Sequence, residues 1–159
     1  MATLTITRGL PGSGKSTWAR REGKGVRVNR DDLRRMLHGG NLGQGWAEAQ
    51  VTLAQRAMVG ALLRAGVSVI CDDTNLSSRA VSELRQVAEE CEAAFVVRDF
   101  TDVPIEICIE RDAARDGESR VGEEVIRAMH KRYLDTKQGP ETKQGPETKQ
   151  GPETKQGPE

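Results

Sequence analysis

The sequence has no excess of charge. Lys and Arg together number 24 and Asp and Glu number 24, so no global field steers the chain toward nucleic acid or an anionic membrane. Any polyanion has to be met by local clusters. The basic residues of positions 1–135 are nearly all Arg, the side chain suited to bidentate phosphate contacts. Cysteine is scarce: Cys71, Cys91 and Cys108 lie far apart, within or beside apolar stretches, with no C-x-x-C spacing. That excludes a zinc or disulfide framework and points to reduced thiols in a cytoplasmic protein. No apolar run reaches the length of a membrane span and no signal peptide opens the chain, so a soluble protein with no membrane partner is expected. From Thr136 to Glu159 the chain lacks apolar side chains altogether and repeats Thr-Lys-Gln-Gly-Pro-Glu four times. Nothing there offsets the entropy of ordering or stacks a solenoid, so 136–159 is expected to be a disordered tail. Residues 1–135 remain for one domain with one core.

Within that domain, strand and helix patterns alternate. Ala2–Thr7, Gly25–Asn29, Val67–Cys71 and Ala94–Val97 read as strands. Helices are expected from about Ser16 to Glu22, up to Leu37 after Arg30-Asp31-Asp32, and over Trp46–Ala65, where Gly66 stops the run. Three more are expected from Ser77 or Ser78 to Cys91, from Pro104 to Arg115 and from Glu123 to Leu134. Gly39–Gly45 holds four glycines and reads as a loop. The fold class is therefore α/β: a small parallel sheet of about four strands flanked by helices, with ligands at the carboxyl ends of the strands.

The first strand leads into Gly9-Leu10-Pro11-Gly12-Ser13-Gly14-Lys15-Ser16, which satisfies G-x-x-x-x-G-K-[ST] at every fixed position, with Thr17 next. Glycines 9, 12 and 14 let the backbone fold into a nest of inward N–H groups that cradle phosphate oxygens. Lys15 supplies a point charge for the β- and γ-phosphates, and the Ser16 hydroxyl is placed to ligate magnesium. A strand before the loop and a helix after it meet the structural condition for a phosphate-binding P-loop. The binding set is thus Gly12, Ser13, Gly14, Lys15, Ser16 and Thr17, with ATP and Mg2+ as expected ligands. No Asn-Lys-x-Asp guanine signature follows, and the domain is too short for a motor.

Further motifs follow in order: Pro11–Arg20, then Asn29-Arg30-Asp31-Asp32 with Arg34, then Asp73-Thr74-Asn75-Leu76, Asp102-Val103-Pro104, the pair Arg111 and Arg115, and Val125–Met129. In this order they resemble the kinase domain of the phage polynucleotide kinase-phosphatase, of the P-loop polynucleotide 5′-hydroxyl kinase family, from Thr7 to about Leu134. The resemblance implies an adenylate-kinase-like P-loop fold and transfer of the ATP γ-phosphate to the 5′ hydroxyl of DNA or RNA. It also implies roles. Asp31 matches the general base, Arg34 the residue that holds the phosphate on the 3′ side of the acceptor nucleotide, and Asp73 and Thr74 the acceptor pocket. Arg115 matches the lid arginine on the donor phosphates, with Arg111 one helical turn before it. The D-x-D-G-[TS] motif of the phosphatase half is missing, so no 3′-phosphatase activity is expected.

Plainer readings stand beside these. Asp31 and Asp32 are both candidates to cap a helix. Asp72 and Asp73 end an apolar strand, as an acid that positions a metal would. Arg111 and Arg115 also suit a solvated helix face, and His38 and His130 have no partner at metal-ligand spacing. Trp18 and Trp46 are candidates for base stacking, Trp18 equally for the core. The stretch from His38 to Gln50 departs most from the family pattern. A related kinase acting on a small molecule, nucleoside or tRNA is the nearest alternative, and a nucleotide-binding adaptor without catalysis is a third.

Overall fold

The computed structural model describes residues 1–40 and 45–135. The repeat tail and residues 41–44 of the glycine-rich stretch, with the expectations placed on them, lie outside the described residues. Four strands form: β1 (Thr3–Arg8), β2 (Val26–Val28), β3 (Val69–Cys71) and β4 (Ala94–Asp99). The helices are α1 (Lys15–Arg21), α2 (Arg30–His38), α3 (Gly45–Arg64), α4 (Ser78–Glu90), α5 (Ile105–Ala113) and α6 (Glu123–Tyr133), with a 3-10 turn at Gly117–Ser119. All strand pairs are parallel and the order is β2-β3-β1-β4, as the alternating pattern requires. Among the described residues, no helix is long and apolar enough to cross a membrane.

The register decides where the site falls. Val28, Cys71 and Ile6 lie abreast across β2, β3 and β1, so β2 and β3 end at one level and β1 runs two residues further, to Arg8. Leu4, Ile6, Val28, Val69 and Cys71 pack against Leu33 of α2, Val51, Val59 and Leu63 of α3, and Leu84, Val87 and Ala88 of α4. Each such fully buried aliphatic side chain stabilises the fold by about 1.5–3 kcal/mol. A second cluster of Leu10, Leu76, Cys108 and Ile126 seats α5 and α6 against the loop after β1. All three cysteines are free thiols, Cys71 and Cys108 buried and Cys91 half-buried.

Local signals explain most helix ends. Gly66 takes a left-handed φ of 79°, and the N–H groups of Gly66 and Val67 bond the carbonyls of Leu63 and Leu62, closing α3 as a Schellman turn. Ser77 caps α4 by accepting the Ala80 N–H at 3.1 Å. At α2 the cap is Asn29, whose Oδ1 accepts the Asp32 N–H at 3.0 Å, so neither Asp31 nor Asp32 has that task. β4 runs two residues beyond the expected Val97, because its ladder with β1 continues through Arg98 and Asp99 and ends in an Arg8–Asp99 pair at 3.5 Å. Helix α5 stops at Ala113, earlier than expected. The Arg115 N–H turns back to the Asp112 carbonyl, and Arg115 lies past the helix end.

Two bonds tie the ends of β1 and β3 together. Gly9 N–H donates to the Thr74 carbonyl at 2.9 Å, and Asn75 Nδ2 donates to the Thr7 carbonyl at 2.8 Å. Asn75 is buried and holds a left-handed φ of 43°, a conformation Asn tolerates better than most residues. Asn75→Ala leaves a buried carbonyl without its donor and is expected to cost about 2–3 kcal/mol, measured as a lower midpoint in urea. An unchanged midpoint would show that this bond does not hold the strand ends together.

Candidate active site

The loop of residues 9–17 joins β1 to α1 and wraps the Lys15 side chain. Lys15 is 7% exposed, and its Nζ donates to the Leu10 carbonyl at 2.6 Å and to Ser13 Oγ at 3.4 Å. Burial pulls its ammonium down from the ordinary lysine range to about 8, against the opposing pull of Asp72. Two glycines are required by geometry. Gly12 has φ 82°, and a Cβ there would lie 2.2 Å from the Cys108 carbonyl of α5; Gly14 has φ 98° at the α1 N-cap. Ser13 is buried, Ser16 half-buried and Thr17 exposed on the outer side of α1.

Beside the loop lies a cavity of about 610 Å³ bounded by Gly12, Gly14, Thr17, Trp18, Arg111 and Arg115, among others. The structure thus brings the arginine pair to the phosphate loop. Arg115 is near enough to Lys15 to lower its proton affinity, and Arg111 Nη1 lies 3.8 Å from where a Gly14 Cβ would stand. The far wall was not foreseen: Arg98 and Phe100, from the end of β4, line it. Arg98 sits 5.6 Å from the ring centroids of both Trp18 and Phe100. Trp18 therefore borders the cavity. Trp46 is 61% exposed and packs edge-on against His38 instead.

At the end of β3 the two acids divide. Asp72 is 1% exposed; its Oδ2 takes Arg27 Nε at 2.6 Å, while Oδ1 is buried with no hydrogen-bond partner among the described residues. That orphaned oxygen and the Ser16 hydroxyl are hard donors of the kind magnesium takes. No group of three or more His, Cys, Asp or Glu residues is placed to hold a metal among the described residues, so the protein's own donors at this site are few. Asp73 turns the other way. It accepts Arg30 N–H at 2.8 Å and Gln55 Nε2 at 2.6 Å, and burial pushes its carboxyl up to about 6 despite these donors.

Asp73 opens onto a second cavity of about 270 Å³, lined by Arg30, Gln55, Thr74, Leu76, Met129 and Tyr133 among others. Asp31 and Arg34, one turn apart on α2, stand outside that lining and are joined to its Arg30 through Glu48. Arg34 Nη1 meets Asp31 Oδ1 at 2.7 Å, and its Nε and Nη2 grip Glu48 of α3 at 2.6 and 2.9 Å. Arg30 adds a bond to Glu48 at 3.0 Å. These donors hold the Glu48 carboxyl well below the usual range, at about 2, the Arg34 bond being the largest cause. Asp32 pairs with Arg27 and Arg35, at 2.6 and 2.8 Å, whereas Asp31 pairs with Arg34. Sequence reasoning missed Arg30, Glu48 and Gln55. The signal was a polar stripe of Glu48, Thr52 and Gln55 at i, i+4 and i+7 on a largely apolar helix.

A parallel four-stranded sheet with a glycine-rich phosphate loop after its first strand, and acids at the ends of two neighbouring strands, defines a P-loop nucleotide-binding domain. A family model described as "AAA domain" matches residues 4–138, and the chain belongs to that family. A protein of Autographa californica nuclear polyhedrosis virus, assigned as a bifunctional polynucleotide kinase/RNA ligase, is 27% identical over 144 residues; the match covers 82% of this chain and 21% of that protein. A chain in the structure of the Pnkp1/Rnl/Hen1 RNA repair complex superposes with a TM-score of 0.73 at 34% identity, covering 86% of this chain and 45% of that one. This chain therefore spans about a fifth of the viral relative and under half of the structural one. Chaetomium thermophilum Kti12 with ADP-AlF3, at 19% identity and a TM-score of 0.62 over 82% of this chain and 79% of its own, shares the fold.

The buried lysine makes nucleotide binding pH-dependent. A phosphate favours the charged form of Lys15, so binding to the protein alone takes up a proton once the pH passes about 8. Affinity for a nucleoside triphosphate is expected to fall by up to about tenfold per pH unit above that point, while below it the lysine is already charged and the slope vanishes. Calorimetry in two buffers of different ionisation heat reads the proton uptake. Constant affinity up to about pH 9, with no uptake, would show Lys15 charged throughout.

Proposed function

We propose that this domain is a polynucleotide 5′-hydroxyl kinase that transfers the γ-phosphate of ATP to the 5′ end of DNA or RNA. The observation that carries the reading is the bond from Gly9 to Thr74, which sets the phosphate loop beside the cavity of Asp73 and Thr74, with the Asp31–Arg34 pair joined to that cavity's Arg30 through Glu48. The match to a viral protein assigned as polynucleotide kinase/RNA ligase and to a chain of an RNA repair complex supports the same acceptor class. Residues 1–135 are the kinase domain in this reading, the repeats are an appendage, and the free thiols suit a reducing cytoplasm.

The chain's residues divide the reaction between two sides. On the donor side, the backbone N–H groups of the loop and the Lys15 ammonium receive the β- and γ-phosphates, and Arg111 and Arg115 face them across the larger cavity. Magnesium would be held by the Ser16 hydroxyl and Asp72 Oδ1, and when bound it supplies neutralisation of phosphate charge. The donor nucleoside would lie against the wall that Trp18 and Phe100 form together.

On the acceptor side, the smaller cavity with Asp73 and Thr74 takes the terminal nucleoside, and Arg34 holds the phosphate on its 3′ side. The 5′ oxygen attacks the γ-phosphorus, the bond to the leaving ADP oxygen breaks, and the hydroxyl proton passes to an Asp31 carboxylate oxygen. An aspartate is too weak to deprotonate an alcohol beforehand. It takes the proton late, as a loose transition state develops, and the Arg34 bond keeps it aimed.

The test is transfer of label from γ-labelled ATP to 5′-hydroxyl DNA and RNA oligonucleotides. Asp31→Ala is expected to lower turnover by about 10²–10⁴-fold with ATP affinity intact. Arg34→Ala should raise the KM of a 3′-phosphorylated mononucleotide and leave that of ATP unchanged. Weak ATP binding with normal turnover in Asp31→Ala would remove the base assignment. Transfer to nucleosides or sugars but to no oligonucleotide would make the protein a small-molecule kinase.

A further inference from the structure

Asp112 is a carboxylate with 1% exposure in the last turn of α5, and nothing in the transfer chemistry uses it. Its Oδ2 accepts the Gly122 N–H at 2.8 Å and its Oδ1 the Val121 N–H at 3.1 Å, reaching across nine and ten residues of chain. Gly122 is the N-cap residue of α6 and has no side chain with which to cap; Asp112 binds the N–H groups at and just before that position and so fixes where α6 begins. The segment between α5 and α6 is thereby pinned at both ends to a single side chain. Arg115 belongs to that segment. Its Nη1 lies 3.4 Å from Asp112 Oδ1, a loose contact for an ion pair, and its side chain is 38% exposed. A buried carboxylate is costly unless well partnered, and here its short bonds are to backbone amides and its long one is to the arginine. The strong contacts fix the segment, and the weak one orients a guanidinium that still has donors to offer.

We propose that Asp112 is a positioning residue for nucleotide binding: by tying Val121 and Gly122 to α5 it holds Arg115 over the phosphate loop. The proposal rests on reading the 610 Å³ cavity as the nucleoside triphosphate site. Arg115 lines that cavity together with Gly12 and Gly14, and it is electrostatically coupled to Lys15. If the anchored segment favours nucleotide through Arg115, reciprocity requires that nucleotide favour the anchored segment. A carboxylate that merely fixes the start of α6 would stabilise the fold with no such coupling.

The experiment is a double-mutant cycle read by calorimetric binding of a non-hydrolysable ATP analogue with magnesium, for wild type, Asp112→Asn, Arg115→Ala and the double variant. Asp112→Asn is expected to weaken binding about tenfold in the wild-type background and to have almost no further effect once Arg115 is gone. Equal losses in both backgrounds, or no loss in either, overturn the proposal even if the melting temperature falls. Should Asp112→Asn fail to fold, amide exchange of Val121 and Gly122 decides without touching Asp112. The analogue should slow exchange in wild type and not in Arg115→Ala, and equal or absent slowing overturns the proposal. A wild type that binds no analogue overturns the phosphate-loop reading and this proposal with it. Wild-type binding with additive losses overturns this proposal alone.

Discussion

The side-by-side pairing of β1 and β3 is the constraint from which the rest of the site follows. Because Ile6 lies opposite Cys71, the phosphate loop and the Asp72-Asp73 pair leave the sheet within two residues of one height. The bonds from Gly9 to Thr74 and from Asn75 to Thr7 then lock the two exits together. A buried cation and a buried anion are thereby forced into one neighbourhood. Lys15 loses solvent and feels Asp72, and Asp72 in turn is half satisfied by Arg27 from β2. Neither charge is fully neutralised within the protein, which suits a site that has to accept both a polyphosphate and a cation.

The two sides of the site are held by different forces. The phosphate-loop side is set by packing. Gly12 lies against the Cys108 backbone with no room for a Cβ, and Leu10 joins Leu76, Cys108 and Ile126 in an apolar cluster that carries α5 and α6. The side between α2 and α3 is set by charge, in the chain Asp31–Arg34–Glu48–Arg30. Arginine is needed there because one planar guanidinium reaches two carboxylates at fixed angles, which a lysine ammonium cannot do.

Much of this was legible in the sequence, for identifiable reasons. The phosphate loop is a contiguous motif whose residues act through their own backbone, so spacing alone locates it. Gly66 and Ser77 likewise act locally. The cap of α2 was misjudged because Asn29, Asp31 and Asp32 are all good capping residues, and only the fold shows that the two aspartates have arginine partners. Glu48 and Gln55 escaped because their significance depends on α3 packing beside α2. Arg98 and Phe100 escaped because β4 had to be placed next to β1 before its end could face Trp18. The early end of α5 was hidden for the same reason: the last turn closes on Asp112, whose carboxylate serves a loop nine residues away. What depends on chain neighbours could be read, and what depends on sheet neighbours could not.

The division between packing and charge has a consequence for how the two sides respond to their surroundings. Ions in solution reach the exposed Asp31 carboxylate, and they screen interactions there over about 8 Å at physiological ionic strength. They do not reach Leu10, Cys108 or Ile126. The charged network around Asp31 is therefore tunable by salt, while the packed phosphate loop keeps its shape. In a chain with no net charge, such local groups of arginines, oriented by carboxylates as Arg30 and Arg34 are by Glu48, are what a polyanion would meet.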